Sequence, residues 1–234
     1  REYNLLLKGR VQTGLSLPKI ISRITRISGS LSRGGQFVSA RRETLPQLKN
    51  PEVLQWISDE RLGGVVGHET RGHMAADLAR YLFCSAYAQN TNERNSPKLE
   101  DWPSAELLPD HSNVISNTDD RGEIKVTAET HSDRFRVQLW DRPSTTVVSH
   151  ISKDGHYYIH PDPVQCRSLT VREAARLQTF PENYFFAGGR TAQYHQVGNA
   201  VPPFLAKQIA ESIRRFLTTK TVPEVNLEKR NQPE

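Results

Sequence analysis

The segment from Pro203 to Leu217 constrains the fold of this chain more than any other feature. Apolar side chains recur there at the spacing of one helical face, and the preceding Pro202 suits the start of a helix. The apolar positions on that face are Phe204, Leu205, Ile209, Ile213, Phe216 and Leu217. The spacing predicts an amphipathic helix over 203–217, and the apolar face of such a helix is ordinarily buried against another element.

Charge and composition exclude several classes of protein. The chain of 234 residues carries a formal net charge of +5, and 36% of its residues are hydrophobic, which is low for a globular domain. We therefore expect part of the chain to be loop or tail. No apolar run reaches about 18 residues, so no membrane span is predicted. Residues 1–35 interrupt every apolar stretch with Arg, Lys or Gly, so no signal peptide is predicted either.

The cysteines and histidines form no recognisable disulfide or metal pattern. Cys84 and Cys166 are too few for a disulfide framework or a four-cysteine zinc site. His68 and His73 are five residues apart, whereas zinc ligands on one helical face are about four apart. No metal site is predicted, and a reducing, cytoplasmic location is the simple interpretation.

The basic residues are concentrated near the start of the chain. Residues 8–42 contain eight Lys and Arg residues and no Asp or Glu. A run of this kind is either a solvated arm or a segment that contacts phosphate groups, and the sequence leaves both interpretations open.

Periodicity and turn residues predict the remaining elements. We expect helices over 51–62, 72–89 and 170–178, the last with a capping box formed by Thr170 and Glu173. Strands are predicted over 134–140 and 145–151, with a hairpin turn at Asp154-Gly155. Loops or turns are predicted over most of 1–45, at 63–67, at Gly198-Asn199, over the polar segment 90–132 and in the tail.

Two longer motifs are far more specific than these local patterns. Residues 167–184 read RSLTVREAARLQTFPENY, and residues 196–203 read QVGNAVPP. In this order and spacing they resemble motifs IX and X of the DNA (cytosine-5)-methyltransferases. The segment from Asp141 to Pro161 is similar to the stretch that leads into motif IX in bacterial members of that family.

The resemblance implies an α+β fold. We expect a small recognition lobe with short strands, and a C-terminal helix that would complete a Rossmann-like lobe whose main part lies outside this chain. The corresponding division is a basic, linker-like segment over 1–60, a target-recognition region over 61–165, motifs IX and X over 166–218, and a polar tail over 219–234.

The resemblance also implies an activity and a set of site residues. Enzymes of the family transfer a methyl group from S-adenosyl-L-methionine to cytosine in double-stranded DNA. Cofactor-lining residues would be Asn199, Ala200 and Val201. Candidates for DNA contacts are Ser144, Thr145, Thr146, Lys153, His156, Arg167 and Arg172. The two arginines would act either as ion-pair anchors or through contacts with phosphate.

The family's catalytic motifs are missing from this sequence. Its nucleophile lies in a Pro-Cys dipeptide and its base-binding glutamate in Glu-Asn-Val, and neither occurs here. The chain also begins at Arg1 rather than Met. We therefore expect the C-terminal portion of a methyltransferase, inactive alone and dependent on a catalytic half. The alternatives are a non-catalytic DNA-binding module and one subunit of a split enzyme.

Overall fold

The computed structural model describes residues 33–39, 50–91, 95–98, 101–102, 107–108 and 134–219. These ranges contain two strands, β1 (Gly34–Ser39) and β2 (Gly64–Glu69), and five α-helices. The helices are α1 (Pro51–Ile57), α2 (Ala75–Thr91), α3 (Val171–Leu177), α4 (Arg190–Asn199) and α5 (Pro203–Thr219). The mixture of helices with a small sheet agrees with the predicted α+β class. None of these helices is long and apolar enough to cross a membrane.

The two strands pair antiparallel, with Gly34 opposite Glu69 and Phe37 opposite Val66. The turn predicted over 63–67 was therefore wrong for all but its first residue. Gly63 alone turns the chain, with a φ of 58° that suits glycine, and β2 begins at the next residue. The β-branched Val65 and Val66 favour the extended backbone that follows.

Helix α2 forms as predicted, although it begins at Ala75 rather than at residue 72. Residues 79–88 of this helix are buried and contribute most of one hydrophobic cluster. The other members come from short segments before and after the polar stretch, and one comes from residue 159. The cluster contains Ala79, Tyr81, Leu82, Phe83, Cys84, Tyr87, Ala88, Trp102, Leu107, Phe135, Val137 and Ile159.

The two strands predicted over 134–140 and 145–151 do not form. Within 134–168 the backbone makes only isolated bridges, between Val137 and Ile159 and between Ile159 and Ser168. The side chain of Gln138 takes the place of a strand ladder, because it bonds to the backbone N–H of Thr145 at 3.0 Å and to the Tyr157 carbonyl at 2.7 Å.

The predicted hairpin at Asp154-Gly155 was wrong as well. Gly155 has a φ of 81°, and it begins a 3-10 turn over His156–Tyr158 instead of a second strand. A second 3-10 turn, Ser149–Ser152, replaces the end of the predicted strand.

Helix α3 lies in a second hydrophobic cluster together with α4. The predicted capping box is confirmed: the Glu173 N–H donates to Thr170 Oγ1 at 3.2 Å, and the Thr170 N–H donates to Glu173 Oε2 at 2.8 Å. The cluster contains Val147, Ile151, Tyr158, Leu169, Val171, Ala174, Ala175, Phe180, Phe186, Tyr194 and Val197.

Helix α4 corrects the turn predicted at Gly198-Asn199. Both residues belong to the end of α4, and the chain changes direction at Ala200 before α5 begins. The amphipathic helix forms as predicted and extends to Thr219. The predictions for 1–32 and for the tail beyond residue 219, and most of that for 90–132, lie outside the described residues.

Candidate functional site

Arg167, the first residue of the motif IX segment, is buried in an ion pair. Its guanidinium donates two hydrogen bonds to the Glu173 carboxylate, at 2.6 and 2.8 Å, and further bonds to the side chain of Gln165. Although burial raises the pKa of Glu173, the hydrogen bonds from Arg167 lower it to about 2. The pair therefore joins the residues before α3 to its capping box.

Arg172 occupies the centre of the same segment and is the largest fully buried side chain among the described residues. Its guanidinium donates to three backbone carbonyls: Val66 at 2.8 Å, Pro181 at 3.0 Å and Tyr184 at 2.6 Å. These acceptors lie on β2 and in the loop after α3. Both predicted arginines therefore act as internal anchors in this structure.

The residues predicted around Asp154 separate into a buried and an exposed group. His156 is buried, with Nδ1 2.8 Å from the Tyr81 hydroxyl and its ring stacked on Phe135 at 4.4 Å. Lys153 is exposed. The backbone beside it is held by Arg71, which donates to the carbonyls of Ile151 at 2.6 Å and Lys153 at 3.2 Å.

Arg71 also has its guanidinium carbon 4.0 Å from the centre of the Tyr194 ring. It therefore connects the residue 151–153 turn to α4, and a cation over an aromatic face is stabilising. No local pattern singles out Arg71 in the sequence, since it lies between the predicted turn over 63–67 and the predicted helix over 72–89.

Ser144, Thr145 and Thr146 lie together on one segment, and Thr146 is the exposed member. The bonds from Gln138 hold this segment at Thr145. Trp140 precedes it and is 73% exposed, although its ring makes an edge contact with His160 at 5.6 Å. The exposure of Trp140 was not expected from the sequence, because a residue of the predicted strand over 134–140 that faces a core would be buried.

The predicted cofactor residues lie where α4 ends and α5 begins. Asn199 is exposed, Ala200 is half-buried and Val201 is 62% exposed. The amide of Asn199 offers a hydrogen-bond donor and an acceptor, and Val201 offers an apolar surface two residues away. An accessible polar group beside an accessible apolar group fits one wall of a site for S-adenosyl-L-methionine.

The apolar face of α5 continues from this turn. Phe204 is buried, whereas the other five predicted apolar side chains of the helix are 46–66% exposed. At its start α5 contacts α1, through the tilted rings of Trp56 and Phe204 at 5.8 Å. The exposed residues are Leu205, Ile209, Ile213, Phe216 and Leu217.

The two histidines considered for zinc have other partners in the structure. His68 Nδ1 lies 3.1 Å from Thr170 Oγ1, and His73 Nε2 lies 3.2 Å from Ser168 Oγ. Across the described ranges, no three His, Cys, Asp or Glu side chains are grouped in a way that would hold a metal ion.

Comparison with known proteins assigns the family. The sequence profile of the C-5 cytosine-specific DNA methylases matches residues 46–215. The type II methyltransferase M.Bpa9945I of Bacillus paralicheniformis is 67% identical over 98 residues, which are 39% of this chain and 22% of the relative. M.AgeI of Thalassovita gelatinovora is 45% identical over 89 residues, 38% of this chain and 20% of the relative.

A longer match is made with the type II methyltransferase M1.HphI of Haemophilus parahaemolyticus. It is 33% identical over 156 residues, 67% of this chain and 33% of the relative. The matched part of the chain thus spans between a fifth and a third of the length of these curated relatives. Because the family profile matches well over half of the chain, the chain belongs to the C-5 cytosine-specific DNA methylase family.

Proposed function

We propose that this chain is the C-terminal part of a DNA (cytosine-5)-methyltransferase. Joined to a catalytic half, it would transfer a methyl group from S-adenosyl-L-methionine to cytosine in double-stranded DNA. The observation that carries the proposal is the juxtaposition at the end of α4. An accessible turn, Asn199–Val201, leads directly into a helix whose apolar face is largely exposed.

In this proposal the exposed face of α5 is the surface that packs on the Rossmann-like catalytic lobe. Five large apolar side chains on one helix face are more than a solvated helix ordinarily exposes. Packing that face against a second lobe would enclose the neighbouring turn. S-adenosyl-L-methionine supplies the methyl group when it is bound, and Asn199, Ala200 and Val201 would orient it and exclude water on one side.

We assign the DNA contacts to the accessible side chains of residues 140–153. Ser144, Thr145 and Thr146 can hydrogen-bond to base edges, and Lys153 can contact a phosphate. Trp140 adds an exposed ring to the same region. His156, Arg167 and Arg172 would act as internal anchors and not through contacts with DNA, because they are buried and bonded within the chain.

This proposal retains the division of the chain given above. Residues 61–165 would form the target-recognition region, 166–218 would carry motifs IX and X, 1–60 would be a linker and 219–234 a tail. The second hydrophobic cluster contains residues from both sides of position 166, so in this division the recognition region would pack directly on the motif IX and X region.

The experiment measures transfer of labelled methyl groups from S-adenosyl-L-methionine to DNA. One sample contains this chain alone. The other contains the joined enzyme, in which this chain is fused to the part of M.Bpa9945I that it does not match. We expect incorporation only in the joined enzyme, since the Pro-Cys nucleophile is absent from this chain.

Two outcomes would contradict the proposal. Incorporation by the chain alone would mean that Cys84 or Cys166 acts outside the family's pattern. A joined enzyme that folds and binds DNA, yet transfers no methyl group, would favour a non-catalytic DNA-binding module. The variant I209K/I213K tests the proposed packing surface of α5. It should abolish transfer by the joined enzyme while leaving the fold of this chain unchanged, because both side chains are exposed.

A further inference from the structure

The Asn199–Val201 turn is held from two sides by residues that touch it or its immediate neighbours. On one side is the side chain of Gln178, at the end of α3. On the other side Gly198 lies against the backbone of residues 148–149. We propose that Gln178 and Gly198 are positioning residues that set the geometry of the Asn199–Val201 turn, the cofactor turn. Gly198 also connects this turn to residues 140–153, the proposed DNA-recognition segment. This inference rests on the proposed function, because that function makes the turn a cofactor wall.

The Gln178 side chain bonds to the last turn of α4 and to the residue that follows the helix. Its Nε2 donates to the carbonyl of Val197 at 3.1 Å and to the carbonyl of Ala200 at 3.2 Å. The side chain is buried, so water does not replace these bonds readily. One amide group that bonds to carbonyls three residues apart fixes the path of the backbone between them, which includes Asn199.

The residue after Gln178 fixes the next part of the chain. Thr179 has a φ of 59°, an uncommon conformation for a β-branched residue, and its Oγ1 accepts the backbone N–H of Phe204 at 3.1 Å. Its carbonyl accepts Trp56 Nε1 at 2.9 Å. The end of α3 therefore determines both the curve of the turn and the starting position of α5.

Gly198 is needed for space. A Cβ added there would lie 2.6 Å from the Val148 carbonyl carbon and oxygen and 2.7 Å from the Ser149 nitrogen. These are backbone atoms, which cannot move aside as the end of a flexible side chain can. The last turn of α4 and the backbone of residues 148–149 are therefore in direct contact, and Thr145 and Thr146 lie just before that backbone.

The two residues should have different effects when they are replaced. Both side-chain hydrogen bonds of Gln178 go to carbonyls at or just before the turn, so its loss should weaken cofactor binding and leave DNA binding unchanged. Gly198 contacts the turn and the recognition segment, so an added methyl group must displace one or both. If the two residues had a purely structural role, their substitutions would lower the stability of the protein without separating the effect on cofactor binding from the effect on DNA binding.

The test uses the joined enzyme, with the Kd for S-adenosyl-L-methionine measured by titration calorimetry and the Kd for DNA measured at fixed salt. We expect Q178M and Q178E, which each remove both donated hydrogen bonds, to weaken cofactor binding about tenfold. Their DNA affinity should match that of the parent enzyme. We expect G198A to weaken both affinities by a similar factor.

Matched controls make the same chemical changes nearby. Q196E removes a bond from α4 to the Ala187 carbonyl outside the turn, and G189A adds a Cβ at the start of α4 with no atom within 4 Å. Both should leave the two affinities unchanged. Unchanged cofactor affinity in folded Q178M, Q178E and G198A would overturn the inference, whereas a parent enzyme that binds no cofactor would overturn the proposed function instead.

Discussion

Buried arginine and glutamine side chains hold this molecule together by bonding to backbone carbonyls. Arg172 is the extreme example, since its one guanidinium reaches three carbonyls on two separate segments. A planar group with five N–H donors can do this, whereas the single ammonium of lysine cannot spread its bonds in the same geometry.

Replacing Arg172 with lysine tests this role. R172K should lower the free energy of unfolding by about 3 kcal/mol, because buried carbonyls lose their donors and the remaining charge stays buried. Urea unfolding of this chain would measure the change. The control is R176K: Arg176 pairs with Glu182 at 2.5 Å but is about one third exposed, and it should cost about 1 kcal/mol or less. Equal losses would contradict the assignment.

Trp140 supports a prediction about binding rather than stability. Its ring is 73% exposed, so W140A should leave the thermal unfolding midpoint of this chain unchanged. In the joined enzyme the same change should weaken DNA binding about tenfold, within the range for losing an aromatic contact with a base. M74A is the matched control, because Met74 is 67% exposed on the approach to α2. Equal DNA affinity for both variants would remove Trp140 from the interface.

Among the elements, α3 depends most on its cap. It has only seven residues, too few to be stable alone, yet it lies at the centre of the second hydrophobic cluster. T170A removes the oxygen that accepts the Glu173 N–H and lies near His68, and it should cost about 1–2 kcal/mol in urea unfolding. T191A, at an exposed position in the first turn of α4, should cost much less. A similar cost for the two would show that the cap is dispensable.

The elements also show how far the sequence allowed the fold to be predicted. Helices α2, α3 and α5 were predictable because periodicity and capping are local signals. The strands expected over 134–151 do not pair with each other, because the backbone of residues 136–138 bonds to residues 95, 156 and 159 instead. The Gln138 side chain bonds to the backbone of Thr145 and Tyr157. β2 was missed because Gly64 and Gly67 favour a turn in the sequence, whereas Val65 and Val66 between them favour a strand.

The site was predictable in part. The motifs selected Asn199–Val201, and all three residues are accessible to some degree. They also selected Arg167 and Arg172, but residue type alone does not separate an arginine that binds phosphate from one that anchors a core. Gln178 lies inside the motif IX segment but has no local signal of its role, since its partners at Val197 and Ala200 become neighbours only after folding.

At the scale of the whole molecule, one buried and two half-buried histidines connect β2 and the α2 region to the motif IX segment: His160, His68 and His73. Burial lowers the pKa of His73 and of His160 to about 4, and it also lowers the pKa of His68. In an unfolded chain these groups titrate near 6.5. The unfolded state therefore binds more protons below that pH, and the folded state loses stability as the pH falls from about 6.5 to about 4.

For His160, which is almost fully buried, the loss over that interval should be on the order of 3 kcal/mol. Glu173 should add a further loss between about pH 4.5 and pH 2, since its folded pKa is also lowered. Urea unfolding of this chain at a series of pH values measures both steps. H160Q should reduce the upper step and leave the part that comes from His73 and His68, and H195Q, an exposed control, should leave the step unchanged. A flat profile between pH 6.5 and 4 would contradict the prediction.

The carbonyl-bonded framework has a consequence for exchanging parts between related enzymes. Arg71 and Gln138 hold the recognition segment mainly through the carbonyls of Ile151, Lys153 and Tyr157, and a carbonyl is present whatever side chain the residue carries. The loop over 140–153 can therefore accept another loop of equal length without losing these bonds, provided that Thr145 and the buried Val147 and Ile151 are kept. A transplanted loop would meet the same backbone hydrogen bonds, so that under the proposed function the preferred DNA target could be exchanged while the rest of the chain stays the same.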